Sequence, residues 1–161
     1  MAAPIGKWIV CINGYTQGDR WRTGVGRIYR EILAGCSNGD TSLALRSWRD
    51  DVAAIATNVL ELGTDKPELI IVGYSYGGWS AVRLCRELEA RGIGVAGLVL
   101  IDVVWRPWQR FASWRSLLDG WTIVVPANVK HVLTWRQKVS RPRGHLVVAA
   151  DDTKTHIDSI T

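Results

Sequence analysis

Along the 161 residues, apolar positions recur in two ways, as short unbroken runs and as stripes spaced by three and four. The runs Lys7 to Ile12, Leu69 to Val72 and Ala96 to Ile101 predict strands, the first of them buried on both faces. Ser42 to Arg46, Val129 to Trp135 and Leu146 to Ala150 read as further short strands. Val25, Ile28, Tyr29, Ile32 and Leu33 share one side of a helix that stops at Gly35. Val52, Ile55, Ala56, Val59 and Leu62 predict a second helix, capped by Asp50 or Asp51 and ended by Gly63. Ala81, Val82, Leu84, Cys85 and Leu88 predict a third. Val103 to Val125, with Trp105, Pro107, Trp108, Trp114 and Trp121, has no steady period and reads as a loop with short helical turns. Asp151 to Asp158 reads as a polar loop beyond the last strand. Strands alternating with helices predict an α/β chain, and with no repeat or linker the whole of 1–161 reads as a single domain.

Composition narrows the picture. The hydrophobic share of 47% can fill a core. No apolar run approaches the ~18 residues of a membrane span. Net charge is +5, but the basic residues are spread along the chain, so nucleic acid is not expected as a partner. Cys11, Cys36 and Cys85 make an odd count without a CxxC pair, which argues against zinc and for a reducing compartment. Met1 to Val10 has no charged segment ahead of a long apolar one, so no signal peptide is expected and a cytoplasmic location is. Nine tryptophans, several beside arginine as in Trp48-Arg49 and Trp105-Arg106, suit packing and surface stacking or a basic aromatic rim.

The most informative stretch is Gly73-Tyr74-Ser75-Tyr76-Gly77-Gly78, set between an apolar run and a helical stripe. A serine at the tip of so tight a turn has a strained backbone, and its hydroxyl is pushed clear of the sheet. Residues two before and two after must be small because the backbones pass close by, and Gly73 and Gly77 meet that need. An ordinary phosphate-cradling turn is the competing reading, although the lysine of a Walker loop is missing before the serine.

Residues 69–91 resemble the nucleophile elbow of the α/β-hydrolase fold, in its serine esterase and lipase branch. The resemblance implies a minimal, lidless three-layer sandwich, with a mostly parallel central sheet of about five to six strands and helices on both faces. It implies a Ser-Asp-His chain order, with Ser75 as nucleophile. Asp102, just past a strand, would be the acid, ahead of Asp151, Asp152 and Asp119. His156 lies where the family places its base; His145 opens an apolar run and His131 falls in a strand. Asn13-Gly14-Tyr15-Thr16 partly matches the family's oxyanion loop, so the N–H groups of Tyr76 and Tyr15 are the expected oxyanion donors. Thr16, Trp79 and Trp105 are expected to touch substrate. Leu98 to Val104, Pro126 to Val129 and Thr155 to Asp158 also look like small bacterial lipase-like hydrolases.

The expected activity is cleavage of small carboxylic ester or thioester substrates through an acyl-enzyme intermediate, with no cofactor or metal needed. Two readings stay open beside it. One is a non-catalytic module of the same fold with a basic, Trp-rich surface. The other is acyl transfer or perhydrolysis on the same residues, which differs in water exclusion and not in residue type.

Overall fold

A computed structural model describes residues 6–15, 23–36, 40–61, 68–105, 122–137 and 144–161. The apolar runs become strands: β1 (Lys7–Asn13), β2 (Thr41–Ser47), β3 (Glu68–Tyr74), β4 (Val95–Ile101), β5 (Thr122–Val125), β6 (Val129–Trp135), β7 (Leu146–Ala149) and β8 (His156–Ile160). The stripes become α1 (Gly24–Gly35), α2 (Val52–Glu61) and α3 (Tyr76–Ala90). Six strands form one sheet in the order β2-β1-β3-β4-β6-β8, every pair parallel. β5 and β7 pair separately, also in parallel.

The three-layer expectation holds. On one face Trp8, Val10, Ile12, Leu69, Ile71, Leu98 and Leu100 pack against the stripes of α2 and α3. On the other, Ile9, Cys11 and Val72 pack against Val25, Tyr29 and Ile32 of α1. Local chemistry sets the helix starts. The Thr23 hydroxyl accepts the Gly26 N–H at 2.8 Å, and the Asp51 carboxylate accepts that of Ala53 at 2.9 Å. Asp51 is thus the cap of α2, while the Asp50 carboxylate holds the Ser47 N–H at 3.0 Å.

Two departures matter for the site. β5 lies within the stretch read as loop, because Thr-Ile-Val-Val is too short to show a period. His156 lies on a strand and not in a polar loop: Thr155 is buried, His156 exposed, Ile157 half-buried and Asp158 exposed, the alternation of an edge strand. Thr155 begins the tie by donating its hydroxyl to the Val129 carbonyl at 2.7 Å.

Candidate active site

In a parallel sheet every strand's carboxyl end lies on the same edge, and loops there carry the chemistry. Along that edge the pairs Tyr74–Ile101, Ile101–Trp135 and Trp135–Ile160 stand side by side. Ser75 comes immediately after, at φ 53° and ψ −122°. It is half-buried, and its hydroxyl makes no cap bond to α3. The turn is clamped by its main chain: the Ser75 N–H donates to the Ile101 carbonyl at 2.9 Å, and the Ser75 carbonyl accepts from Gly78 at 3.0 Å and Val104 at 3.1 Å.

The small residues are there because backbone crosses backbone. A Cβ on Gly73 would lie 2.6 Å from the Gly78 Cα, and one on Gly77 would meet the Ile12 and Asn13 carbonyls. A Cβ on Gly14 would lie 2.8 Å from the Tyr74 carbonyl oxygen and 3.1 Å from the Ser75 Cβ. The loop after β1 is therefore pressed against the serine. Tyr15 and Tyr76, the expected oxyanion donors, have their rings 5.7 Å apart. Both belong to the edge where Ser75 sits, Tyr76 in the first turn of α3, whose N–H groups point out along the helix axis.

Asp102 also lies on this edge, with a positive φ of 45°. Its carboxylate accepts the Gln137 N–H at 2.8 Å, and its own N–H donates to the Trp135 carbonyl at 2.8 Å. Gly144 packs on the Asp102 backbone so closely that a Cβ would lie 2.9 Å from its Cα. That contact brings in His145, whose N–H donates to the Val103 carbonyl at 2.8 Å. Its Nε2 is 2.9 Å from the Trp105 carbonyl, which can only accept, so Nε2 is the donor there. Ser75 and His145 flank one peptide: the Val104 N–H points to Ser75, the Val103 carbonyl the opposite way to His145. At most about 8 Å therefore separates the Ser75 carbonyl oxygen from the His145 backbone nitrogen.

His156 is not brought to Ser75. It pairs with His131, which pairs with Gly97, which pairs with Ile70, five residues before Ser75 and three strands away. At about 3.3 Å per residue and 4.8 Å per strand, the separation is about 20 Å. The His156 ring is exposed, and its Nε2 lies 3.2 Å from the Asp158 carboxylate. Of the three histidines in the chain, His145 alone lies on the serine's edge of the sheet.

Trp79 and Trp105, both expected to touch substrate, stack on each other with ring centroids 4.9 Å apart, and the Arg86 guanidinium lies 5.1 Å from the Trp79 ring centroid. Thr16 and Asp119 lie outside the described residues. Asp151 sits in the turn before β8, its carboxyl held below the usual range first by the Thr153 hydroxyl and then by Lys154. Trp48, which the sequence offered only as one of the Trp-Arg pairs, follows a strand that ends on this edge. Among the described residues no three His, Cys, Asp or Glu side chains converge as metal ligands would, and no helix is long and apolar enough to cross a membrane.

Residues 9–157 match the model of the alpha/beta hydrolase family. The chain belongs to that family. It is also similar to the spectinabilin polyketide synthase system protein NorC of Streptomyces orinoci, 44% identical over 50 residues. That stretch is 31% of the chain and 2% of NorC, so the chain spans only a small part of that relative's length. Two solved structures are similar at TM-score 0.47 and 15% identity, covering 96% of this chain and 85% of theirs. They are YbtT, a type II thioesterase from the yersiniabactin NRPS/PKS biosynthetic pathway, and its serine-to-alanine mutant.

Proposed function

We propose that this hydrolase cleaves carboxylic ester or thioester bonds with Ser75 as nucleophile. The observation that carries the reading is the Ser75 turn. Its positive φ, at the carboxyl end of β3 and the head of α3, is a strain that ordinary βα turns avoid. Gly14, Gly73 and Gly77 are the close approaches that hold it.

In the proposed reaction the Ser75 oxygen attacks the acyl carbon while a base takes its proton. The carbonyl oxygen becomes an oxyanion, received by the N–H groups of Tyr76 and Tyr15, a contribution of about 3–4 kcal/mol per donor in comparable sites. The base returns the proton to the leaving alcohol or thiol, and water then releases the acyl group by the same steps. We assign the base to His145, with Asp102 beside it as the acid. For His145 to take the Ser75 proton its ring has to turn away from the Trp105 carbonyl, a rearrangement of the kind catalytic hydrogen bonds undergo when substrate binds.

The test is turnover of p-nitrophenyl esters and acyl thioesters of rising chain length. Native protein should turn over with a rate that rises as pH climbs and the base loses its proton. Ser75→Ala and His145→Ala should each lose activity by about 10³-fold or more, while His156→Ala should keep it. An inactive His156→Ala beside an active His145→Ala would refute the base assignment. Native and Ser75→Ala proteins with equal rates would end the hydrolase mechanism. Nucleic-acid binding that falls steeply with salt, with no fluorophosphonate labelling of Ser75, would then favour the binding module.

A further inference from the structure

Trp48 follows the last residue of β2, is half-buried, and is held through both its main chain and its ring. Its N–H donates to the Asn13 carbonyl at 3.1 Å, and its carbonyl accepts from the hydroxyl of buried Ser80 at 2.8 Å. Its ring centroid lies 5.3 Å from that of Tyr15 and 5.5 Å from that of Tyr76. The Arg49 guanidinium lies 5.0 Å from the Trp48 ring centroid. Rings this close are in direct contact, so the three form a packed cluster and not a cage for a ligand.

The cluster joins three elements that the chain brings together from far apart. Tyr15 lies on the loop after β1, Trp48 follows β2 and Tyr76 opens α3. The two tyrosines are the residues whose N–H groups the serine mechanism uses. Their spacing has to hold donors about 2.7–3.1 Å from a developing oxyanion. Gly14 fixes how near the loop comes to Ser75, but a contact at Gly14 leaves the loop able to tilt about it. A ring wedged against both tyrosine rings, and bonded through its own main chain to Asn13 and Ser80, removes that freedom.

We propose that Trp48 is a positioning residue that sets the separation of the Tyr15 and Tyr76 oxyanion donors. The proposal rests on the serine-hydrolase reading. Trp48 touches no reacting atom in it and acts through the two tyrosines.

The test compares native protein with Trp48→Leu, Trp48→Phe and Tyr15→Leu, using p-nitrophenyl butyrate as substrate and phenylboronic acid as a mimic of the tetrahedral adduct. A misplacement of about 1 Å costs about 10²-fold in rate. Trp48→Leu should therefore lose about 10- to 100-fold in kcat with KM within about twofold. Its inhibition constant for the boronic acid should rise by the same factor as kcat falls. Trp48→Phe, which keeps an aromatic face, should recover most of both. If Trp48→Leu does not fold, Tyr15→Leu decides on the same two readouts, since it keeps the N–H and removes one ring of the cluster. A native kcat in a folded Trp48→Leu overturns the proposal. So does a loss of kcat with unchanged boronic-acid inhibition, or a Phe variant as poor as Leu. A native protein that neither turns over the ester nor binds the boronic acid overturns the serine-hydrolase reading itself, and this proposal with it.

Discussion

A serine held at φ 53° stores about 1–3 kcal/mol of backbone strain, which persists only where its surroundings leave no alternative. Here the surroundings are carbonyls and Cα atoms, which cannot rotate out of the way as a side chain does. The consequence is sharpest at Gly77, where an added methyl meets the Ile12 and Asn13 carbonyls of β1. Gly77→Ala should therefore destabilise the fold by about 1–3 kcal/mol, as overpacking does. It should also push Asn13 and Gly14 off Ser75, so activity should fall further than stability alone explains. Urea unfolding and ester turnover on one preparation would check both; an unchanged urea midpoint would mean that the crossing has room for a methyl group. The elbow was legible in the sequence because steric crowding dictates residue size at fixed offsets. The position of His156 was not, because residue type says nothing about which end of a strand a histidine occupies. His156 has the polar neighbours of a catalytic loop, and only its pairing with His131 places it at the far edge.

At the scale of elements, α3 and β1 carry the two thiols that burial makes inert. Burial pushes the Cys11 thiol up to about 12 and the Cys85 thiol higher still. Cys36, just past α1, is only half-buried. A thiol reagent such as DTNB at neutral pH should therefore titrate one cysteine quickly and the other two only on unfolding. Both shifts are upward, so the folded state holds these protons more tightly than the unfolded chain does. The stability they confer is complete below the unfolded thiol value of about 8.5 and is lost as pH rises through the folded values. Urea midpoints should fall between about pH 9 and pH 12, and Cys11→Ala should flatten that fall. A pH profile identical in Cys11→Ala and native protein would show that other groups govern the alkaline limb. Elements differ in how visible they are for the same kind of reason. β1, β3 and β4 are buried on both faces or nearly so and read as apolar runs. β8 is an edge strand with polar residues outward, and its pattern of Thr155, Ile157 and Ile160 resembles a loop with scattered β-branched residues.

At the scale of the whole sheet, the described residues cover its two faces unevenly. One face carries α2, α3 and the β5–β7 pair over its breadth, and their side chains make one continuous core. The other carries α1 over β1, β2 and β3. Farther along, that second face presents Leu133, Trp135 and Ile160, which remain 38%, 55% and 46% exposed. Successive residues of a strand point to opposite faces, so β6 carries this asymmetry within two neighbours. Val132 is buried against the covered face, and Leu133 points to the other. Val132→Ala removes two methyl groups from a packed interior and should cost about 2–3 kcal/mol from transfer and cavity together. Leu133→Ala removes the larger side chain and should still cost under about 1 kcal/mol, because much of it already faces water. Size alone would order the two substitutions the other way, so their ranking by urea unfolding isolates the effect of cover. If Leu133→Ala proves as damaging as Val132→Ala, that half of the sheet is packed against something as firmly as its opposite face. The uneven sandwich would then be the wrong account of what holds β6, and with it the Trp135 and Asp102 edge of the site, in place.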